Sequence, residues 1–117
     1  MLRYLLELGG HDVRLACSGK SGLATAVSWR PEIIFSDLTL PGELDGYGVA
    51  RALRMNPSAR SAFLVALSGN GRDQDKLRAR AAGFNLHVLK PIDLETLEKV
   101  VAFALHDDAA LGAEPLR

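Results

Sequence analysis

Short apolar runs alternate with longer amphipathic stretches along nearly the whole chain. The apolar runs cover residues 12–16, 32–36, 62–67 and 86–89. Val13 and Leu15 share one face of the first run, while the later runs are closer to continuously apolar. Continuous apolar runs of this length are typical of parallel strands that are covered by helices on both faces. The pattern therefore predicts four strands of one parallel sheet.

The intervening stretches carry apolar residues at helical spacing. We predict helices over residues 2–8, 19–29, 46–55, 72–82 and 94–105. The residues predicted to face the core are Leu23, Ala26 and Val27, then Val49, Ala50 and Leu53, then Leu77 and Ala81, then Leu94, Leu97, Val101 and Ala104. Ser18 and Asp93 are predicted N-caps, and Gly83 a C-cap. Strands that alternate with helices predict an α/β fold whose crossovers are right-handed.

Composition narrows the class of protein. At 117 residues and 48% hydrophobic residues, the chain has the size of one domain and enough apolar side chains for a core, which excludes intrinsic disorder. Fourteen basic and fourteen acidic residues cancel, so we expect no nucleic-acid partner. A single cysteine, Cys17, excludes an intramolecular disulfide and fits a reducing compartment. No apolar run could span a membrane and no signal peptide is evident, so we expect a cytoplasmic protein without a membrane partner.

Three candidate functional residues follow predicted strands. Asp37 comes after the second apolar run, Ser68 after the third and Lys90 after the fourth. In open parallel sheets, ligands bind beyond the carboxyl ends of the strands, so these side chains are expected at one edge of the sheet. A carboxylate can act as a nucleophile and form an acyl phosphate, while an ammonium and a hydroxyl stabilise the transferred oxygens. The set therefore indicates phosphoryl chemistry, for which Mg²⁺ is the usual cofactor.

The residues around these three positions resemble a known family. Residues 35–42, with the sequence FSDLTLPG, and Asp45-Gly46-Tyr47 are similar to the phosphoacceptor region of response-regulator receiver domains. Residues 66–69 (ALSG) and 82–91 are similar to the later strand ends of the same family. The resemblance covers about residues 2–105 and is closest to receivers of hybrid sensor histidine kinases. It implies a flavodoxin-like doubly wound sheet and a role in two-component phosphorelay signalling rather than an enzyme.

The resemblance also implies a role for each site residue. Asp37 resembles the aspartate that accepts a phosphoryl group from a histidine kinase or phosphotransfer protein. Ser68 resembles the hydroxyl that turns toward the phosphate, and Lys90 the lysine that pairs with it before a cis bond to Pro91. Asp37 and the backbone carbonyl of Thr39 would ligate Mg²⁺. His87 stands where many members carry tyrosine or phenylalanine, and we expect it to be a half-buried structural residue with no serine or cysteine placed to use it.

The sequence departs from the family in three ways. The opening strand and its acidic pair, which hold Mg²⁺, are missing, so Mg²⁺ binding is expected to be weak. The loop over residues 41–46 is one residue longer than usual. No output domain is expected, because the segment 106–117 is too short to form one and should be loosely ordered.

These departures leave several alternatives open. The chain is either a fragment, with residues 1–105 forming an incomplete receiver, or a degenerate relative, or a protein whose missing strand comes from a partner; we favour the fragment. The incomplete sheet also makes a homodimer an alternative. An alternative function is that of a pseudo-receiver, which binds proteins without accepting phosphate. A small nucleotide- or flavin-binding protein ranks last, because no phosphate-binding glycine loop follows the first strand.

Overall fold

The computed structural model describes residues 2–69 and 71–105, and it contains the predicted alternation of helices and strands. The strands are β1 (Ile33–Asp37), β2 (Phe63–Ser68) and β3 (Leu86–Leu89). The helices are α1 (Leu2–Leu8), α2 (Gly19–Trp29), α3 (Gly46–Met55), α4 (Asp73–Ala82) and α5 (Leu94–Leu105). The bounds of α1, α2, α3, α5 and β3 are those that the sequence predicts. The predicted tail, residues 106–117, lies outside the described residues.

The three strands form one parallel sheet in the order β1-β2-β3. Ile33 lies opposite Phe63 and Asp37 opposite Leu67, so β1 and β2 are aligned over five residues. Ser68 in turn lies opposite Leu89 of β3. This register brings the carboxyl ends of all three strands to one edge of the sheet.

The central strand β2 is covered on both faces, which explains its continuous apolar sequence. Leu64 and Ala66 belong to a core cluster with Leu53 of α3, and this cluster fills one face. Val65 and Leu67 alternate with them and pack in a second cluster with Val100 of α5. Burial on both sides is the arrangement expected for a parallel sheet between helical layers.

The caps at the helix ends follow the sequence. The Ser18 hydroxyl accepts a hydrogen bond from the Ser21 amide, and the two serines form a capping box at the start of α2. An Asp93 carboxylate oxygen accepts from the Thr96 amide at 2.7 Å, next to the start of α5. Gly83 ends α4 with φ 118°, a left-handed conformation that glycine adopts without strain.

The predicted first strand is wrong, because residues 12–16 form no strand. A strand requires a neighbour that pairs with its backbone. β1 pairs with β2 at one edge, and its other edge borders a cavity of about 610 Å³ instead. Residues 12–16 also line this cavity, together with apolar side chains of α1, α2 and α5. Residues 12–16 have apolar residues suited to a strand, but within the described part of the chain no strand lies beside them to pair with their backbone.

The predicted inner faces of α4 and α5 also need correction. Leu77 is 70% exposed and Ala81 is exposed as well, whereas the buried residues of α4 are Ala79 and Ala82. Small side chains allow this helix to approach α3 and β3 closely, so the single leucine is left outside. In α5, Leu94 is 47% exposed. The buried face of that helix is formed by Leu97, Val100 and Val101.

Candidate functional site

The carboxyl edge of the sheet brings Asp37, Ser68 and Lys90 together, as the sequence predicts. Asp37 is the last residue of β1 and Ser68 the last residue of β2, one position beyond the residue that faces Asp37. The Lys90 backbone amide donates to the Ser68 carbonyl at 2.8 Å, which continues the β2–β3 pairing. The Lys90 ammonium forms an ion pair with Asp37 Oδ1. The bond from Lys90 to Pro91 is cis, as expected from the resemblance.

A close backbone approach fixes the end of β1. Gly46, the first residue of α3, lies so near that a Cβ atom there would stand 2.2 Å from the Asp37 carbonyl oxygen and 2.7 Å from Leu38 Cα. The Gly46 amide donates to the Leu38 carbonyl at 3.1 Å. Asp45 caps the helix by accepting from the Gly48 amide at 2.9 Å. Asp45 and Gly46 therefore hold the start of α3 directly against the backbone of Asp37.

The Asp37 carboxylate has its charge compensated and is still open to solvent. Its side chain is 40% exposed and that of Lys90 is 47% exposed. Oδ1 itself is buried against the Lys90 ammonium. A charge-compensated carboxylate with an accessible side can act as a nucleophile toward an incoming phosphorus atom.

Ser68 has a partner that the sequence pattern does not indicate. Its hydroxyl oxygen lies 2.8 Å from Nε2 of His87, a hydrogen-bonding distance. Burial lowers the pKa of His87, the positive charge of Lys76 lowers it further, and Asp75 opposes this shift. The expectation that no serine is placed to use His87 is therefore wrong. Ala66 lies opposite His87 in the register, so Ser68, two residues further along β2, projects on the same side of the sheet.

The described residues supply few ligands for Mg²⁺ at this edge of the sheet. Mg²⁺ is held by one or two carboxylates together with waters and substrate phosphates. The described ranges contain no group of three or more His, Cys, Asp or Glu side chains that could hold a metal. Asp37 is already paired with Lys90, and the exposed Thr39 contributes no carboxylate. Asp37 and the Thr39 carbonyl would supply one carboxylate and one carbonyl oxygen to such an ion, and its other ligands would be waters or phosphate oxygens.

Comparison with known proteins identifies the family. The family model of the response regulator receiver domain matches residues 1–102. The chain belongs to the response regulator receiver family. Receiver domains are the signalling modules of two-component systems, and this function agrees with the chemistry indicated by Asp37, Ser68 and Lys90.

Relatives and solved structures agree with this assignment. The chain is 35% identical over 92 residues to the DNA-binding dual master transcriptional regulator RpaA of Synechocystis, and the match covers 79% of this chain but 38% of RpaA. It superposes on the chemotaxis protein CheY4 of Vibrio cholerae with a TM-score of 0.84 and 28% identity, covering 90% and 87% of the two chains. A histidine-kinase receiver domain from Pseudomonas aeruginosa gives a TM-score of 0.78 at 28% identity, covering 86% and 81%. That structure holds a magnesium ion in its active-site cleft.

The described part of the receiver domain also shows no membrane-spanning segment. None of the helices within residues 2–69 and 71–105 has both the length and the apolar character needed to cross a bilayer.

Proposed function

We propose that Asp37 accepts a phosphoryl group from a phosphohistidine of a histidine kinase or phosphotransfer protein. The observation that carries this proposal is the ion pair between Asp37 and Lys90 at the open carboxyl edge of the sheet. An ammonium beside a nucleophilic carboxylate neutralises one charge before a dianionic phosphoryl group arrives.

The transfer proceeds by direct displacement. Asp37 Oδ2 attacks the phosphorus atom, a P–O bond forms, and the P–N bond to the donor histidine breaks. The donor nitrogen keeps the electron pair of that bond and takes its proton from solvent. Lys90 then pairs with the phosphoryl oxygens, and the Ser68 hydroxyl donates a hydrogen bond to one of them.

Three finer statements belong to the same proposal. Residues 1–105 form the receiver unit, and it works in the cytoplasm, as the use of a single cysteine supports. Mg²⁺ binds weakly at Asp37 and the Thr39 carbonyl, because the described residues form no group of three or more His, Cys, Asp or Glu side chains that could hold it. The relatives support a kinase or phosphotransfer partner through the family they share with this chain.

Intact mass spectrometry after incubation with acetyl phosphate tests the phosphoacceptor. We expect the wild type to gain one phosphoryl group and Asp37→Asn to gain none, because the nucleophile is removed. Asp45→Asn is the matched control, since asparagine caps a helix as well as aspartate does and this variant keeps Asp37. The assignment fails if Asp37→Asn still takes up the group. The experiment is run with and without Mg²⁺ to measure how far uptake depends on the ion.

The absence of a carboxylate cluster in the described residues supports a second candidate, the pseudo-receiver. If the wild type gains no phosphoryl group under any of these conditions, the protein is better described as a protein-binding module with a receiver fold.

A further inference from the structure

The hydrogen bond between Ser68 and His87 joins the proposed site to a titratable group that phosphoryl transfer itself does not use. Ser68 Oγ and His87 Nε2 are 2.8 Å apart, and both residues are partly buried. Parallel pairing of β2 with β3 fixes the positions of both side chains. The contact between Ser68 and His87 is therefore fixed by the pairing of the two strands.

The surroundings of His87 favour its neutral form. The charged groups that act on it are Lys76 and Asp75, both on α4. Burial and Lys76 lower the pKa of His87, and Asp75 opposes them only in part. Asp37 and Lys90 are the charged groups of the neighbouring site. A neutral imidazole has one donor nitrogen and one acceptor nitrogen, whereas an imidazolium has two donors.

We propose that His87 is a positioning residue that controls the direction of the Ser68 hydroxyl proton. The neutral ring accepts this proton at Nε2, and the imidazolium instead donates to Ser68 Oγ and leaves the hydroxyl proton for a phosphoryl group on Asp37. This inference rests on the proposed function, because it concerns the state in which Asp37 carries phosphate.

The consequence is a competition for one proton. A serine hydroxyl has a single proton to donate, so neutral His87 and the phosphoryl oxygens compete for it. Protonation of His87 ends the competition in favour of the phosphoryl group. By thermodynamic linkage, acid then stabilises the phosphorylated state, and phosphorylation in turn raises the pKa of His87.

The first experiment determines the tautomer of neutral His87 from its nitrogen NMR shifts in the unphosphorylated protein. If the neutral ring accepts from Ser68, Nε2 carries no proton, so the ring should be the Nδ1–H tautomer in the wild type and should lose this preference in Ser68→Ala. Ser28→Ala, at an exposed position on α2, is the control and should keep the tautomer of the wild type. An Nε2–H tautomer in the wild type would overturn the proposed direction of the bond.

The second experiment measures the half-life of the acyl phosphate after the donor is removed, between about pH 5 and 8. The half-life of the wild type should shorten several-fold relative to His87→Gln as the pH rises through the pKa of His87. His11→Gln, at an exposed histidine near α1, should keep the wild-type profile. Identical profiles for wild type and His87→Gln would contradict the coupling.

The two readouts separate the inference from the proposed function. If Asp37 takes up no phosphoryl group, the proposed function fails and the coupling to phosphate fails with it. The tautomer of His87 would still decide whether the ring accepts the Ser68 proton. If Asp37 is phosphorylated but neither readout depends on the Ser68–His87 pair, the phosphoacceptor assignment stands and the positioning role is wrong.

Discussion

Gly46 determines how closely α3 approaches the strand that carries the proposed phosphoacceptor. The space for a Cβ atom at this position is already taken by backbone atoms of Asp37 and Leu38. Backbone cannot move aside as the end of a flexible side chain can, so any larger residue must displace either the helix or the strand end. The position of Asp37 therefore depends on residue 46 being a glycine, without a side chain.

Gly46→Ala is expected to destabilise the domain by about 1–3 kcal/mol, because it overpacks a rigid contact. It should also lower phosphoryl uptake by shifting Asp37 away from Lys90. Urea denaturation and intact mass spectrometry measure the two effects. Gly22→Ala is the matched control: a Cβ there meets only Ala16 Cβ at 3.6 Å, and alanine in a helix should add about 0.5–1 kcal/mol. Equal behaviour of the two variants would contradict this account.

His87 should also make stability depend on pH in the unphosphorylated protein. The pKa of His87 in the folded protein lies below the unfolded value of about 6.5. At a pH between these two pKa values, the unfolded chain therefore binds more protons than the folded protein does. Stability should therefore rise with pH between the folded pKa and about 6.5, and this rise should be lost in His87→Gln. Urea midpoints measured across this range test the prediction. A steeper rise in His87→Gln than in the wild type would reverse the sign and refute it.

At the scale of single residues, the sequence predicts part of the site. Asp37, Ser68 and Lys90 each end or follow a strand, and the parallel register brings strand ends together, so their meeting follows from topology. The contact of Ser68 with His87 could not be read from the sequence, because it depends on the exact pairing of β2 with β3. A register shift of one residue would place the two side chains on opposite faces of the sheet.

Arg54 links several elements at the end of the sheet opposite the site. From the last turn of α3, its guanidinium donates to the carbonyls of Gly83, Arg60 and Ala62 and to Asn85 Oδ1, at 2.6–2.9 Å. Asn85 Oδ1 also accepts from the Leu64 amide at 2.8 Å. The planar fork of arginine suits such a set of acceptors, and burial of this group lowers its pKa. The Arg54 side chain thereby connects α3 to the segments that precede β2 and β3.

Arg54→Lys is expected to cost about 1–3 kcal/mol of stability, because one ammonium cannot reach four acceptors in different directions, and the bonds to the Gly83 and Ala62 carbonyls are partly buried. The free energy of unfolding in urea measures the loss. Arg51→Lys changes an exposed arginine on the same helix and should stay within about 0.5 kcal/mol of the wild type. A small effect at Arg54 would show that water replaces the guanidinium at these carbonyls.

Among the elements, helices with strong caps and breakers were predicted most reliably. Ser18 fixes the start of α2, and Asn56-Pro57 limits α3 in the sequence as in the structure. The face of α4 was predicted wrongly, because helical spacing favours the leucine, whereas close packing selects Ala79 and Ala82. Residues 12–16 were predicted wrongly because strand formation depends on a neighbour as much as on composition.

Over the whole molecule, the sheet is asymmetric. β2 is paired on both sides, whereas β1 is paired on one side and borders the cavity on the other. An edge strand next to an apolar cavity leaves backbone groups and apolar side chains without the cover that β2 has. Pairing of two copies through this edge, or with a partner's strand, stays a prediction that the described residues do not test.

Hydrogen exchange should follow this asymmetry. We expect amides of β2 to exchange slowest, those of β1 faster, and those of residues 12–16 close to the rate of an unstructured chain, because protection tracks paired and buried backbone. Exchange measured by mass spectrometry or NMR at low protein concentration resolves the three segments. Protection of residues 12–16 equal to that of β2 would show that this segment is paired in solution, either with another copy or within the chain.

The order β1-β2-β3 has a consequence for how the sheet assembles. Both strand pairs, β1 with β2 and β2 with β3, join strands that are consecutive in the chain, across a crossover that contains one helix. Among the described strands, none pairs with a strand that is more distant in the sequence. The entropy lost in forming each pair is therefore that of closing a single strand–helix–strand unit. The sheet can therefore grow from β1 toward β3 in the direction in which a ribosome delivers it.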